Sequence, residues 1–270
     1  MNPIAFTVGP FEVRWYSICI LSAALFGLLL MEKEAKRLHI STDTIFNLMF
    51  WAFIFGILGA RIYYVLFNLD VYSQNPKEIF MIWNGGLAIH GGIIAGLLVF
   101  IVYCWKNKLR LARMTDIVAP VLLLCQTIGR WGNFFNQEAH GAATTVEALQ
   151  KLLVPGFIIN GMTIDGVTYF PSFYFEAIAC LIAFLIIIIV RRFKYVKVGQ
   201  PTAMYLMAYG GIRFFIEMGR TDALLIGGFK MAQIVSIIFF LSGLGILIYT
   251  FTKSKFDDLY NDLSNVDIKK

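Results

Sequence analysis

The stretch GRWGNFFNQE, Gly129–Glu138, ends the apolar run DIVAPVLLLCQTIGRWGNFF with an arginine, two asparagines and a glutamate. Arg130 and Asn133 are spaced i,i+3, so a helix puts them on one face. Downstream, Tyr209, Arg213 and Glu217 recur every four residues, with Arg220 three further on. Tyr16, Arg61, His90 and Glu176 are the other polar side chains set among apolar neighbours. Arginine stays charged and grips phosphate with a planar fork of donors. A histidine can take the proton of an incoming nucleophile, and arginines can stabilise a phosphate as it leaves. Together these residue types suit displacement at a phosphate ester, with a phospholipid headgroup as the natural ligand. GxSxG, HExxH and a paired intramembrane aspartate do not occur, which argues against hydrolase and protease chemistry. The sequence has no Cys/His spacing for a metal and suggests no cofactor.

These side chains must be positioned by membrane-spanning helices. The chain has 270 residues, 59% of them hydrophobic and 15% charged, with a mean hydropathy of +0.72. A soluble domain of this length could not bury that much apolar surface. The expected fold is an all-α polytopic membrane protein forming one domain over 1–270, with about seven spans. They are Tyr16–Met31, Phe46–Leu66, Leu87–Trp105, Ile117–Phe135, Phe173–Val190, Ala203–Ile216 and Met231–Phe251. The loops EKEAKRLH, KNKLRLAR and RRFKYVK and the C-terminal tail hold fifteen Lys and Arg, against five on the other side. This bias puts the N-terminus outside and the C-terminus in the cytoplasm. It also accounts for the net charge of +6 without invoking nucleic acid. Small residues at Gly56, Gly59, Ala60, Gly92 and Gly96 would let helices approach closely. Residues 136–171 form the longest outer segment, a small cap. In it TTVEALQKLLVPG reads as a short helix with Val146, Leu149 and Leu153 on one side. FIINGMTIDGVTYF carries Asn-Gly and Asp-Gly hairpin signals. The tail 253–270 is polar and receives no role. Cys19, Cys104, Cys125 and Cys180 read as small buried hydrophobes.

With that topology, nearly every polar side chain named above falls in the outer half of the bilayer. Ionisable groups there cost roughly 2.5–3.5 kcal/mol or more each and usually mark function. Each also has a plainer reading. Arg213 and Glu217 could simply neutralise one another. Arg61 could snorkel or cap its span, which is favoured over direct catalysis. Glu176 could pair with an arginine, and His90 could be a satisfied core histidine. His140 reads as structural or solvated, and Asp116 as a helix N-terminal group. A shared depth, with Gly129, Gly132, Gly210 and Gly211 beside the arginines, is what the plainer readings do not explain. The missing side chains would leave room for a ligand or a neighbouring helix.

At these residues the chain resembles the bacterial phosphatidylglycerol–prolipoprotein diacylglyceryl transferases, over nearly its whole length. GRWGNFFNQEAHG is similar to that family's G-R-x-G-N-F-x-N-x-E signature. LAIHGGIIAG resembles its H-G-G segment, and YGGIRFFIEMGR its Y-G-x-x-R-x-x-x-E-x-x-R segment. WYS and GARIYYV are similar to its first two spans. The resemblance implies transfer of diacylglycerol from phosphatidylglycerol to the lipobox cysteine of a prolipoprotein signal peptide. A thioether forms and sn-glycerol 1-phosphate leaves. It further implies His90, Arg130 and Arg213 as catalytic residues. Tyr16, Arg61, Asn133, Asn136, Glu138, Tyr209, Glu217 and Arg220 would bind phosphatidylglycerol or brace the site. The expected location is the bacterial cytoplasmic membrane, with the site toward the outer leaflet. The rival reading is a transporter of phospholipid or organic anion using the same basic cavity, but no internal repeat supports it. A scaffold held by ion pairs is a third.

Overall fold

A computed structural model describes residues 1–9, 11–221, 225–253 and 258–263. In chain order the elements are β1 (Ile4–Val8), β2 (Phe11–Arg14), α1 (Trp15–Arg37), α2 (Thr42–Leu66), α3 (Leu69–Tyr72), α4 (Ile89–Lys106) and α5 (Leu111–Asn136). There follow β3 (Ala143–Thr144), α6 (Val146–Lys151), α7 (Gly156–Gly161), β4 (Thr163–Ile164), β5 (Val167–Tyr169), α8 (Ser172–Val190), α9 (Gln200–Met218), β6 (Leu225–Ile226), β7 (Phe229–Lys230) and α10 (Met231–Thr252). Short 3-10 turns at Pro76–Phe80 and Ile82–Asn84 lie between α3 and α4.

Among the described residues, six helices are long and apolar enough to cross a membrane: α1, α2, α4, α5, α8 and α10. The seventh expected span lies within α9. This 19-residue helix is not among the six and packs against α8 and α10. The spanning helices show apolar side chains outward: Leu21, Leu25 and Leu29 on α1, Leu97 and Leu98 on α4, Ile186 and Ile189 on α8. An outward apolar belt suits lipid, because a helix satisfies its own backbone groups there. The fold is thus that of an all-α polytopic membrane protein.

The chain divides into two compact units. One contains Met1–Met31 and the described part of Thr115–Asn265; the other contains Glu32–Met114. In the second unit α2 packs along α4. A Cβ added to Gly59 would stand 2.7 Å from the Gly91 carbonyl, so this crossing tolerates no side chain at Gly59. Gly91, rather than Gly96, is the partner: nothing lies within 4 Å of Gly96.

In the first unit α5, α8 and α9 share an apolar core of Ala119, Leu123, Cys180, Phe184, Ile187 and Tyr205. The Thr127 hydroxyl reaches the carbonyls of Leu123 (2.8 Å) and Ala177 (3.3 Å), tying α5 to α8. Gln126 donates to the Tyr205 hydroxyl at 3.3 Å, tying α5 to α9. Asp116 serves the start of another helix. It lies one turn inside α5, fully buried, and accepts from the amides of Gly199 (2.6 Å) and Thr202 (3.0 Å) and from the Thr202 hydroxyl (2.6 Å). The donors at the start of α9 are thereby capped from another helix. Gly199 allows this with a left-handed φ of 96°.

The cap is smaller in its helices than its sequence suggests. α6 ends at Lys151, so of the three residues expected on one face only Leu149 is fully buried. Val146 is exposed, and Leu153 lies beyond the helix end at φ 57°. Leu149 joins Phe134, Val154, Ile158, Ile159, Met162 and Phe173 in a core beneath the cap. Asp165-Gly166 forms the expected turn between β4 and β5, with φ of 50° and 81°, and the sheet order is β3-β5-β4. Asn160-Gly161 instead lies in α7. Two features are legible only in the structure. Ile4–Val8 and Phe11–Arg14, given no element above, pair antiparallel as β1 and β2. Residues 258–263 fold back: Tyr260 is fully buried and its amide donates to the Val196 carbonyl at 2.7 Å, while the Val198 amide donates to the Asp258 carbonyl at 3.0 Å.

Candidate active site

The apolar faces that build the α5–α8–α9 core also aim the charges. Arg130 lies two turns along α5 from Leu123, Glu176 one turn before Cys180 on α8, and Arg213 two turns after Tyr205 on α9. Residues at these spacings share a helical face. The packing that joins the apolar parts therefore brings the charged parts together.

The centre is Glu176, 1% exposed. Its Oε1 accepts from Arg130 Nη2 at 2.6 Å and its Oε2 from Arg213 Nη1 at 3.2 Å. A second carboxylate extends the chain: Glu217 Oε2 is 2.6 Å from Arg213 Nη2 and 3.9 Å from Arg220 Nη1. Three guanidinium groups thus alternate with two carboxylates. The side chains of Arg130 and Arg213 are 19% and 15% exposed, so both face a largely dehydrated surrounding. Each guanidinium carries five N–H donors. Among the described residues Arg130 contacts only Glu176 and, at 3.4 Å, Asn133, while Arg213 contacts Glu176 and Glu217. Both keep donors for an anion.

The amides serve the acid beside them. Asn133 Nδ2 and Asn136 Nδ2 donate to Glu138 Oε1 at 3.0 and 3.2 Å, so Glu138 is held by amides rather than by the guanidiniums. The chain Arg130–Asn133–Glu138–Asn136 runs from the buried arginine to the cap. Tyr16 packs against the backbone of this segment: a Cβ on Gly132 would stand 2.6 Å from Tyr16 Cδ2. Tyr209 lies between Tyr205 and Arg213 on α9, its ring stacked on Tyr205 at 6.0 Å.

The glycines divide accordingly. Gly132 makes room for Tyr16, and Gly210 for α10, where its Cβ would stand 2.6 Å from the Ser236 carbonyl. Gly211 has nothing within 4 Å, and Gly129 only Ile20 Cδ1 at 4.0 Å. Gly132→Ala should therefore displace the Tyr16 ring and lower turnover by about tenfold, whereas Gly129→Ala should leave it within about twofold. Turnover of the two purified variants side by side checks this. An equal collapse in Gly129→Ala would mean that a substrate packs on that face.

Arg61 and His90 belong to the other unit. Arg61 is buried. It donates to the carbonyls of Glu78, Ile79 (2.9 Å), Gly85 (2.8 Å) and Gly86 (2.9 Å), with Tyr72 over its guanidinium at 5.0 Å. Four of its five N–H groups thus organise the α2–α4 connection. His90 is exposed in the first turn of α4, with the Tyr63 ring 6.2 Å away, so it is not a core histidine. The His140 ring lies tilted against Tyr169 in the cap, 4.1 Å between centroids. The four cysteines are free thiols, two buried and two half-buried. Among the described residues no group of His, Cys, Asp and Glu could hold a metal.

Glu176 is the residue whose importance sequence spacing understates. Its position at the start of an apolar span signals a pair with one arginine. Only the packing of three helices makes it the shared partner of two.

Comparison with known proteins gives a consistent match. Residues 3–249 match the family described as prolipoprotein diacylglyceryl transferase. The chain is 42% identical over 250 residues to the phosphatidylglycerol–prolipoprotein diacylglyceryl transferase of Staphylococcus carnosus, covering 92% of this chain and 90% of that protein. The protein of that name from Staphylococcus saprophyticus is 43% identical over 249 residues, with coverages of 92% and 89%. That from Ligilactobacillus salivarius is 41% identical over 250 residues, with coverages of 92% and 93%.

Proposed function

The chain belongs to the prolipoprotein diacylglyceryl transferase family, and from that premise we propose that its arginine cluster holds the phosphate of phosphatidylglycerol while the diacylglyceryl group moves to a cysteine thiol. The protein is a membrane transferase acting on phosphatidylglycerol and a prolipoprotein. The observation that carries the site assignment is the Arg130–Glu176–Arg213 bridge, two largely buried arginines with unused donors.

The reaction balances as a displacement. The lipobox cysteine gives its S–H proton to a base and its sulfur attacks the glycerol carbon that carries the phosphate. A C–S bond forms, the C–O bond breaks, and its electron pair leaves on the phosphate oxygen of sn-glycerol 1-phosphate. The phosphodiester has one negative charge and the departing monoester gains about a second near neutral pH. Arginines fixed in place therefore bind the departing group more strongly than the substrate, which is the requirement for acceleration. Arg130 and Arg213 take that role. Asn133, Asn136 and Glu138 offer hydrogen bonds to the glycerol or steady Arg130. Tyr16, Tyr209, Glu217 and Arg220 line or brace the site. His90 is the base that accepts the thiol proton. The excess of Lys and Arg on one set of loops supports a site at the outer leaflet of the cytoplasmic membrane. There a translocated signal peptide can present its cysteine.

Mass spectrometry of a lipobox-cysteine peptide incubated with purified protein and phosphatidylglycerol tests the reading. The wild type should add one diacylglyceryl mass, and Arg130→Ala should slow that by about 100- to 1,000-fold. Absence of product from folded wild type in lipid would overturn it and return attention to the transporter.

A further inference from the structure

The segment after α9 contains a cation that the chemistry above does not use. β6 and β7 form a hairpin whose two turn residues, Gly227 and Gly228, have φ of 58° and 83°. Both values favour glycine, and the turn is tight enough to return the chain at once. It delivers Lys230 to the end of β7, where its backbone begins α10. The side chain points to the other helix. Lys230 Nζ donates to the carbonyls of Glu217 at 2.7 Å, Met218 at 3.1 Å and Arg220 at 2.8 Å. An ammonium has three donors, and here all three are engaged by main-chain oxygens.

Those oxygens belong to the last turn of α9 and to Arg220, two residues beyond it. The final carbonyls of a helix lack intrahelical partners and carry the negative end of its dipole. A cation is therefore the group that satisfies them best. The same turn supports Glu217, which holds Arg213, and ends beside Arg220. Freeing the three carbonyls would let this turn fray and change the direction of both side chains.

We propose that Lys230 is a positioning residue for the transfer reaction: its ammonium clamps the C-terminal turn of α9 and so fixes Glu217 and Arg220 against Arg213. This rests on the proposed function of the arginine cluster. Lys230 touches no substrate and acts through the helix end.

Lys230→Met keeps the length of the side chain and removes both charge and donors; Lys230→Arg keeps both. Each would be purified in phosphatidylglycerol-containing nanodiscs and assayed with a lipobox peptide, with kcat and KM for phosphatidylglycerol measured separately. Amide hydrogen exchange over Phe215–Arg220 would be followed on the same samples. Lys230→Met should lower kcat per folded molecule by about tenfold with little change in KM. It should also speed exchange over that turn by about tenfold. Lys230→Arg should recover most of both. An unchanged kcat in folded Lys230→Met, or unchanged exchange, would overturn the proposal, as would loss of activity explained wholly by a smaller folded fraction. If the wild type itself transferred nothing, the function assignment would fail, and the exchange measurement would still decide the clamp.

Discussion

Glu176→Gln is expected to lower kcat by about 100-fold while leaving the KM for phosphatidylglycerol unchanged or lower. Glutamine keeps the shape and one acceptor but removes the charge shared by Arg130 and Arg213. Two guanidiniums that touch one carboxylate lie about 6 Å apart. At an effective dielectric of about 20, their repulsion without the carboxylate is about 3 kcal/mol. Loss of one partner from a buried ion pair costs on the order of 3–5 kcal/mol of stability. The variant should therefore melt earlier, and the arginines should separate. An anionic headgroup would then supply the missing charge, so added phosphatidylglycerol should stabilise the variant more than the wild type. Thermal unfolding with and without the lipid, beside steady-state kinetics, reads both effects. Normal kcat in the variant would show that the bridge is only structural.

His90→Gln should lower turnover by about 100- to 10,000-fold at neutral pH, the usual range for loss of a general base. Binding of phosphatidylglycerol should be unaffected. The distinguishing measurement is the pH profile. A thiol with a pKa near 8.5 is mostly protonated at neutral pH, so without a base only the small thiolate fraction reacts. The variant's rate should rise about tenfold per pH unit until the thiol titrates, while the wild type gains less. A variant profile parallel to that of the wild type would reassign His90 as a donor to the phosphate. Near-normal turnover would remove it from the reaction. Its exposed position at the start of α4 suits exchange of a proton with a substrate rather than a packing role.

Both experiments concern residues that stand out in the sequence to different degrees. His90 and Arg130 are conspicuous because they interrupt apolar runs, and a charge in a span is costly enough to signal function by itself. Glu176 is equally conspicuous, but its partner is not. An intrahelical pair such as Arg213–Glu217 follows from i,i+4 spacing. A pair such as Arg130–Glu176 joins residues 46 positions apart and depends on how two helices rotate about their axes. Arg61 shows the reverse case. Its residue type and place suit a phosphate, yet the fold surrounds it with four carbonyls from the following connection.

The sequence by itself determined the class of the protein, the location of its long apolar helices and the candidates for its chemistry. Hydropathy and charge bias act over whole segments, and an arginine in an apolar run signals a desolvation cost before its partner is known. Tertiary structure alone decided which charge meets which, and what the small residues are for. It placed Asp116 on the start of α9 and Lys230 on its end. It filled the space at Gly132 with a tyrosine ring and set Asp258 and Tyr260 against Val198 and Val196. The reason is physical. Burial is a property of a segment's composition, but hydrogen bonds and ion pairs are directional and short, so their partners exist only once the helices have packed.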